Sequence, residues 1–392
     1  MSWKSRTISA QHVTFVRRSN PRQQRTPPRP LQPWMMTTNW TSTQSICVSK
    51  RRSDLMNPHP ANSMLEFLRS TMDPAQLMRS ELLAKLENFY VATKMDDKFS
   101  LEFSIMISEI AAGNMPEGYA IAVPGKSGSG KSTMIRHRLK THPGLQPYVD
   151  QYGNKKQACL WVKTPAGCSM KSLGEHALKA AGYPGGALKN ETAIWDKLRD
   201  ALMVKEYKIV FFDEFQHVLH APTSKSKEHP ANQIKAIMQS DTWPVWLILS
   251  GVDDMMGVIE ADPHQQTSRR TRVVEMELLT EHEIPFVASV LNELCSTVGF
   301  APSFKPTRKF ITRLMHGGLQ RFGMVVQLMK LSIQSAIFDD KTFHHKVINH
   351  DHFADGYRRL SNCDDNTNVF IAEDWFNIVR EVDENGRLTT TR

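Results

Sequence analysis

The residues best suited to chemistry form one short stretch, Gly125-Lys126-Ser127-Gly128-Ser129-Gly130-Lys131-Ser132. It matches G-x-x-x-x-G-K-[ST], the pattern of a loop that cradles phosphates. The glycines let backbone N–H groups turn inward around a polyphosphate. A helix starting at the end of the loop adds the partial positive charge of its N-terminus. In that arrangement Lys131 reaches the β and γ phosphates of ATP and the Ser132 hydroxyl ligates Mg²⁺, with Thr133 next in line on the helix. The pattern needs a strand before it and a helix after it. Tyr119–Val123 and the periodic segment Thr133–Leu139 are placed to supply them.

A second group of candidates lies further along the chain. Ile209-Val210-Phe211-Phe212-Asp213-Glu214 reads as a buried strand that delivers two acids to one end of a sheet. Ligands bind at the carboxyl ends of parallel strands, so Asp213 is expected to hold Mg²⁺ through water. Glu214 is expected to act as general base on the attacking water. Read alone, the stretch is better taken as a strand ending in a solvated acidic turn; the phosphate loop upstream favours the chemical reading. Val245–Leu249 is another apolar strand, followed by Ser250, which either bonds the γ-phosphate or the water, or caps a turn. Ser268-Arg269-Arg270-Thr271-Arg272 precedes the alternating segment Val273–Leu279. An arginine there suits a finger that stabilises transition-state charge on a neighbouring subunit's nucleotide; a solvated basic turn is the alternative. Gly318-Leu319-Gln320-Arg321 opens a long helix, from which Arg321 is placed to reach back to the phosphates.

These candidates need elements to position them. Leu65, Phe67, Leu68, Leu77, Met78, Leu82, Leu83 and Leu86 recur at helical spacing, and a further helix covers Leu101–Ala112 with Gly113-Asn114 ending it. Strands then alternate with helices at Tyr119–Val123, Ala158–Lys163, Ile209–Phe212 and Val245–Leu249, which predicts an α/β domain with a parallel sheet. After about residue 280 the pattern is purely helical, at Glu281–Val298, Thr307–Met315, Leu319–Phe338 and Ala372–Val382. The last of these, carrying Trp375 and Phe376, is amphipathic and expected to pack on its own helical domain. The expected organisation is a tail over 1–60, a helical segment over 61–114, an α/β core over 115–280, a small helical lid over 281–345 and a helical extension over 346–392.

Charge sharpens that division. The formal net charge is +9. Residues 1–60 carry ten Lys/Arg against Asp54 alone, so the remaining 332 residues, with 39 basic and 39 acidic side chains, are neutral. That distribution excludes a uniformly basic nucleic-acid coat. The Pro-, Arg- and Ser-rich tail buries too little apolar surface to offset its ordering entropy and is expected to be disordered. It also has the character of a transit peptide, and translation from Met35 or Met36 would omit part of it. No run of eighteen apolar residues exists, which speaks against a transmembrane helix. The five cysteines form no CxxC pair, which argues for a reducing interior. The histidines His217, His220, His344, His345, His350 and His352 lack zinc-site spacing.

Taken in order, the phosphate loop, Asp213-Glu214, Ser250, Ser268-Arg269 and Gly318-x-x-Arg321 resemble the motifs of AAA+ ATPases. Within that superfamily the chain is similar to the TniB/TnsC group of transposition ATPases. Lys163-Thr164-Pro165-Ala166-Gly167-Cys168-Ser169 with Leu173, Leu178 and Gly182-Tyr183-Pro184, Phe212–Leu219, and Asp262 with Gln265 carry the finer resemblance. Residue 270 is arginine where an aromatic is usual, and the step from Asp262 to the finger is one residue longer. Either Arg269 or Arg270 thus qualifies as the finger. Residues 1–100 and 345–392 lie outside the resemblance.

The resemblance implies an AAA+ core with helices on both faces of its sheet and a helical lid. It also implies ATP and Mg²⁺ as ligands, and a homo-oligomeric ring or filament with active sites between neighbours. It further implies a cytoplasmic, nucleoid-associated regulator, away from membranes. Such a protein assembles on double-stranded target DNA with ATP, recruits a transposase together with a target selector, and disassembles on hydrolysis. DNA contacts through phosphates would fall to Lys171, Lys179, Lys189, Lys225 or Lys227, each also readable as a solvated lysine. Two rival classes share the core. A replication initiator or loader usually adds a winged helix, for which the residues after 345 are few. A non-hydrolysing scaffold has no need of Glu214.

Overall fold

Three strands of the α/β region, over residues 120–124, 209–213 and 246–251, are buried throughout, which fixes their place between two layers of helices. The structure, a computed structural model, describes residues 60–184, 190–219, 228–261, 265–340, 345–382 and 388–391. Three helices come first, α1 (Pro60–Thr71), α2 (Pro74–Asn88) and α3 (Lys94–Ala112). The α/β region follows with β1 (Ala120–Pro124), α4 (Lys131–Thr141), the small strands β2 (Tyr148–Val149) and β3 (Lys155–Lys156), and β4 (Cys159–Lys163). It continues through α5 (Met170–Ala180), α6 (Glu191–Lys205), β5 (Ile209–Asp213), α7 (Glu228–Met238) and β6 (Trp246–Gly251). The short helices α8 (Met256–Ile259) and α9 (Gln266–Arg269) lead into β7 (Thr271–Val273).

The sheet runs β4-β5-β6-β1-β7, and every pairing in it is parallel. Side chains alternate between its faces. Ala120, Ala122, Val210, Phe212, Leu247 and Leu249 pack with residues of α5, α6 and α7. Ile121, Val123, Ile209, Phe211, Trp246 and Ile248 pack with Phe99, Phe103 and Met106 of α3 and with Met134 and Ile135 of α4. Both faces are therefore covered by helices, which explains why the strands read as continuous apolar runs. The last strand is shorter and earlier than the alternation of Val273–Leu279 suggests. It occupies Thr271–Val273, and the chain then keeps bonding β1 through Val274 N to Ala122 O and Met276 N to Pro124 O.

The remaining elements are α10 (Ile284–Thr297), β8 (Ala301–Pro302), α11 (Arg308–Gly317), α12 (Phe322–Asp339), β9 (Val347–Ile348), α13 (His350–Ser361), β10 (Val379–Val382) and β11 (Leu388–Thr391). Their core joins Val287, Leu291, Leu314, Leu328, Ile333, Phe353 and Tyr357 to Leu82 and Leu86 of α2. Each such side chain taken from water is worth about 1.5–3 kcal/mol. Burial thus divides the 61–114 segment: α3 packs on the sheet and α2 on the helical part. Gly356 allows α13 to cross α12 closely, since a Cβ there would lie 2.8 Å from the Ser332 backbone nitrogen.

Two expectations fail here. Strands do not stop at 280, because β8 pairs with β9 in parallel and β10 with β11 in antiparallel. Nor is Ala372–Val382 a helix: Trp375–Asn377 is one 3₁₀ turn and Val379–Val382 is strand. The three- and four-residue spacing of Trp375, Ile378, Val379 and Val382 also fits a turn followed by a β-branched strand. The threonine run of β11 then supplies the ladder partner that a helix would have forgone.

Candidate nucleotide site

The loop of residues 125–130 runs from the end of β1 to the start of α4, as its motif requires. Gly128 (φ 76°) and Gly130 (φ 101°) hold the left-handed conformations that bend it. Lys131 opens the helix with its side chain buried, and Nζ donates to the carbonyls of Gly125 (3.1 Å) and Lys126 (3.3 Å). Burial pushes its ammonium below the usual lysine value, opposed by the charges of Glu214 and Asp213. Lys126 is exposed and ion-paired with Asp253 at 2.9 Å. Ser129 is buried, and its Oγ has no hydrogen-bond partner. Thr133 lies exposed on the first turn of α4.

Asp213, at the carboxyl end of β5, is the junction of the site. Its Oδ1 accepts from Ser132 (2.7 Å) and Ser250 (2.5 Å), and its Oδ2 from Arg136 (2.8 Å). Burial alone would raise its pKa, but the hydrogen bonds from Ser250, Arg136 and Ser132 outweigh it and hold the carboxyl below its ordinary value. Ser250 therefore faces Asp213, whereas the sequence pointed it at a phosphate, a water or a turn. Glu214 follows in a left-handed conformation (φ 59°, ψ 43°), uncommon for a residue with a side chain. Its Oε2 accepts from Gln216 Nε2 at 2.6 Å, and Gln216 Oε1 in turn accepts from Val252 N at 3.2 Å. The motifs assign no chemical role to Gln216, which stands only within the Phe212–Leu219 stretch, or to Arg136. Arg136 sits four residues after Ser132, hence on the same helical face, and that spacing was the available signal.

The helical part reaches this loop directly. Arg321 NH1 donates to the Ser127 carbonyl at 3.0 Å, and Met324 N to the Gly128 carbonyl at 2.9 Å. Gly323 makes the approach possible, because a Cβ there would lie 2.6 Å from Gly128 O and 2.8 Å from Gly130 N. Beside this contact is a cavity of about 390 Å³, lined by Tyr90 and Val91, by Gly130 and Thr133, and by Phe322 and Val326. Tyr90 stacks on His137 with ring centroids 3.5 Å apart. No motif marked this cavity, because its walls come from three distant stretches of chain.

The two arginines after Ser268 differ in their surroundings. Arg270 is ion-paired with Glu117 at 2.6 Å, and its NH1 donates to the Gln266 carbonyl. Arg269 is exposed on α9. Lys171 and Lys179 lie on α5. Lys189, Lys225, Lys227, Asp262, His220, His344 and residues 1–59 fall outside the described residues.

Mg²⁺ is a fit for the donors present. The Ser132 hydroxyl and Asp213 carboxylate are hard oxygen ligands meeting beside the loop. Among the described residues no group of three or more His, Cys, Asp or Glu could hold a metal ion. A cation here would therefore take its remaining ligands from phosphate oxygens and water, as Mg²⁺ does.

Comparisons place this geometry. No curated protein matches the chain. Among solved structures, the Aeropyrum pernix ORC2 protein in its ADPNP–ADP complexes is similar with a TM-score of 0.51 and 12% identity, over 70% of each chain. Its ADP form gives 0.50 and 13%, over 70% of this chain and 71% of that one. The Aeropyrum pernix ORC1 protein in complex with DNA gives 0.50 and 12%, over 71% and 69%. Likeness at such identity shows the fold alone, the AAA+ fold of these ORC proteins. The family model described as bacterial TniB protein matches residues 102–279, from α3 through the last strand of the sheet. Over those residues the chain is similar to the TniB family.

Proposed function

We propose that the protein is an ATP-hydrolysing regulator of DNA transposition. It assembles on double-stranded target DNA when ATP is bound, recruits and activates a transposase with its target selector, and comes apart on hydrolysis. The observation that carries this reading is the convergence on one sheet edge of the loop lysine, the Ser132–Asp213–Ser250 cluster and Glu214, with Arg321 bonded to the loop from the helical part. The match to the bacterial TniB protein supports the transposition role.

Each residue has a chemical task. Backbone N–H groups of 125–130 and the N-terminus of α4 cradle the phosphates, and Lys131 neutralises them. Ser132 and Asp213 hold Mg²⁺, which supplies charge neutralisation for phosphoryl transfer when bound. Glu214, aimed by Gln216, takes the proton of the attacking water. Arg269, free at the surface, serves a neighbouring subunit as the finger. Lys171 and Lys179 are DNA-contact candidates, acting through phosphates without sequence preference.

Steady-state ATP hydrolysis, measured with and without duplex DNA for wild type and Glu214→Gln, tests the reading. Wild type should turn over ATP. The variant should bind ATP, lose turnover by about 10²–10⁴-fold, and persist in DNA-bound assemblies. If wild type neither hydrolyses ATP nor forms DNA-dependent assemblies that the variant stabilises, the reading fails.

A further inference from the structure

Arg136 joins the acidic centre to the edge of the sheet. It lies one helical turn after Ser132, and both side chains reach Asp213, Ser132 through Oδ1 and Arg136 through Oδ2. The Arg136 guanidinium also rests over the Trp161 ring, with Cζ 4.5 Å from the centroid. Trp161 belongs to β4, the edge strand, and its ring stacks on Phe211 at 6.3 Å between centroids. Burial differs sharply along this line: the Asp213 side chain is 1% exposed and that of Arg136 39%. Arg136 is the one side chain ion-paired with Asp213 among the described residues.

We propose that Arg136, steadied on Trp161, is a built-in counter-ion of Asp213 that gives way to the divalent cation and so sets the cation affinity of the site. This rests on the reading of Ser132 and Asp213 as the Mg²⁺ position. A buried carboxylate without opposite charge is strongly disfavoured. Arg136 meets that need when no cation is present. A cation arriving at Asp213 brings the same compensation, so the guanidinium and the cation compete for one carboxylate. Guanidinium–ring stacking persists in partly solvated surroundings, and Trp161 is half exposed. Arg136 can therefore leave Asp213 without losing its platform, and the indole senses the departure.

The test titrates Mg²⁺ against binding of a fluorescent ATP analogue by the full chain, in wild type, Arg136→Gln, Arg136→Lys and Trp161→Phe. Arg136→Gln should lower the melting temperature of the ligand-free protein, yet lower the Mg²⁺ concentration at half-saturation by about fivefold or more. Arg136→Lys should fall between. In the absence of the fluorescent analogue, the wild-type minus Trp161→Phe emission spectrum should shift when Mg²⁺ and ATP are added together. A merely structural Arg136 would lower the melting temperature and weaken Mg²⁺ binding as well, which overturns the proposal. So does an unchanged midpoint with nucleotide still bound, or a Trp161 signal indifferent to the cation. Wild type binding no nucleotide at any Mg²⁺ concentration would instead overturn the nucleotide reading itself, and this inference with it.

Discussion

Arg321 NH1 donates to the Ser127 carbonyl at 3.0 Å, tying the helical part to the phosphate loop across 194 residues of chain. Leu319 and Gln320, just before it, both adopt left-handed backbone (φ 56° and 54°). Two adjacent non-glycine residues in that region cost about 1–3 kcal/mol each. They bring Arg321 and the first turn of α12 onto the loop, so the position of the helical part is coupled to whatever the loop holds.

Arg321→Ala should therefore weaken ATP binding by about tenfold or more, the cost of losing a charge-assisted contact. Gly323→Ala should act through a different route. Its Cβ meets backbone atoms of Gly128 and Gly130 at 2.6 and 2.8 Å. Backbone cannot rotate aside, so α12 must back off the loop, at about 1–3 kcal/mol. Binding of a fluorescent ATP analogue measures both variants. Unchanged affinity in both would show that the loop works independently of the helical part.

Gln216 gives the second prediction. It is buried, donates to Glu214 and accepts from Val252 N, so it fixes the carboxylate that activates water. Gln216→Leu should lower kcat by about ten- to a hundredfold through misplacement of the base, with ATP affinity near wild type. A variant that loses affinity and turnover equally would instead indicate collapse of the loop after β5.

Much of this site was legible because phosphate loops and acid-ended strands are local patterns. Lys131, Ser132 and Asp213 declare themselves by spacing, and burial of both sheet faces makes the strands stand out as apolar runs. Residues that act across the fold left weaker marks. Tyr90 and Val91 line the cavity beside the loop only because α2 and α3 pack on different parts of the molecule. The C-terminal strand reads as a helix in the sequence because its apolar spacing satisfies one. Its pairing with β11 is a contact that periodicity within one segment does not carry.

Arg269 and Arg270 separate by their neighbours. Arg270 is held by Glu117, a partly exposed pair worth about 0.5–1 kcal/mol. Arg270→Ala should lower the melting temperature by about 1–3 °C and leave most ATPase activity. Arg269→Ala should leave stability unchanged and reduce hydrolysis by about a thousandfold if it acts as a finger on the next subunit. Mixing Arg269→Ala with Glu214→Gln subunits checks the geometry. Interfaces that pair a wild-type Arg269 with a wild-type Glu214 should recover activity that neither variant has alone. No recovery, with both proteins assembled, removes Arg269 from the trans role.

His316 makes stability depend on pH. Arginine has no acceptor, so the contact from Arg380 NH2 at 2.7 Å requires a bare Nδ1. The ring proton then sits on Nε2 and is donated to the Trp375 carbonyl at 3.1 Å. Burial, with the Arg380 charge beside it, pushes the imidazole down to about 4. An unfolded histidine titrates near 6.5. Between those values the unfolded chain binds a proton that the folded one refuses, so stability is complete above about 6.5 and declines as pH falls toward about 4. Allowing for solvent screening, the loss is about 1–2 kcal/mol. His316→Gln keeps an acceptor for Arg380 and a donor for Trp375 but cannot titrate. Wild type should lose more melting temperature than His316→Gln between pH 7.5 and 5, whereas carboxylates common to both cancel in the comparison. Parallel curves would mean that the imidazole accepts its proton inside the fold, and that Arg380 moves aside to let it.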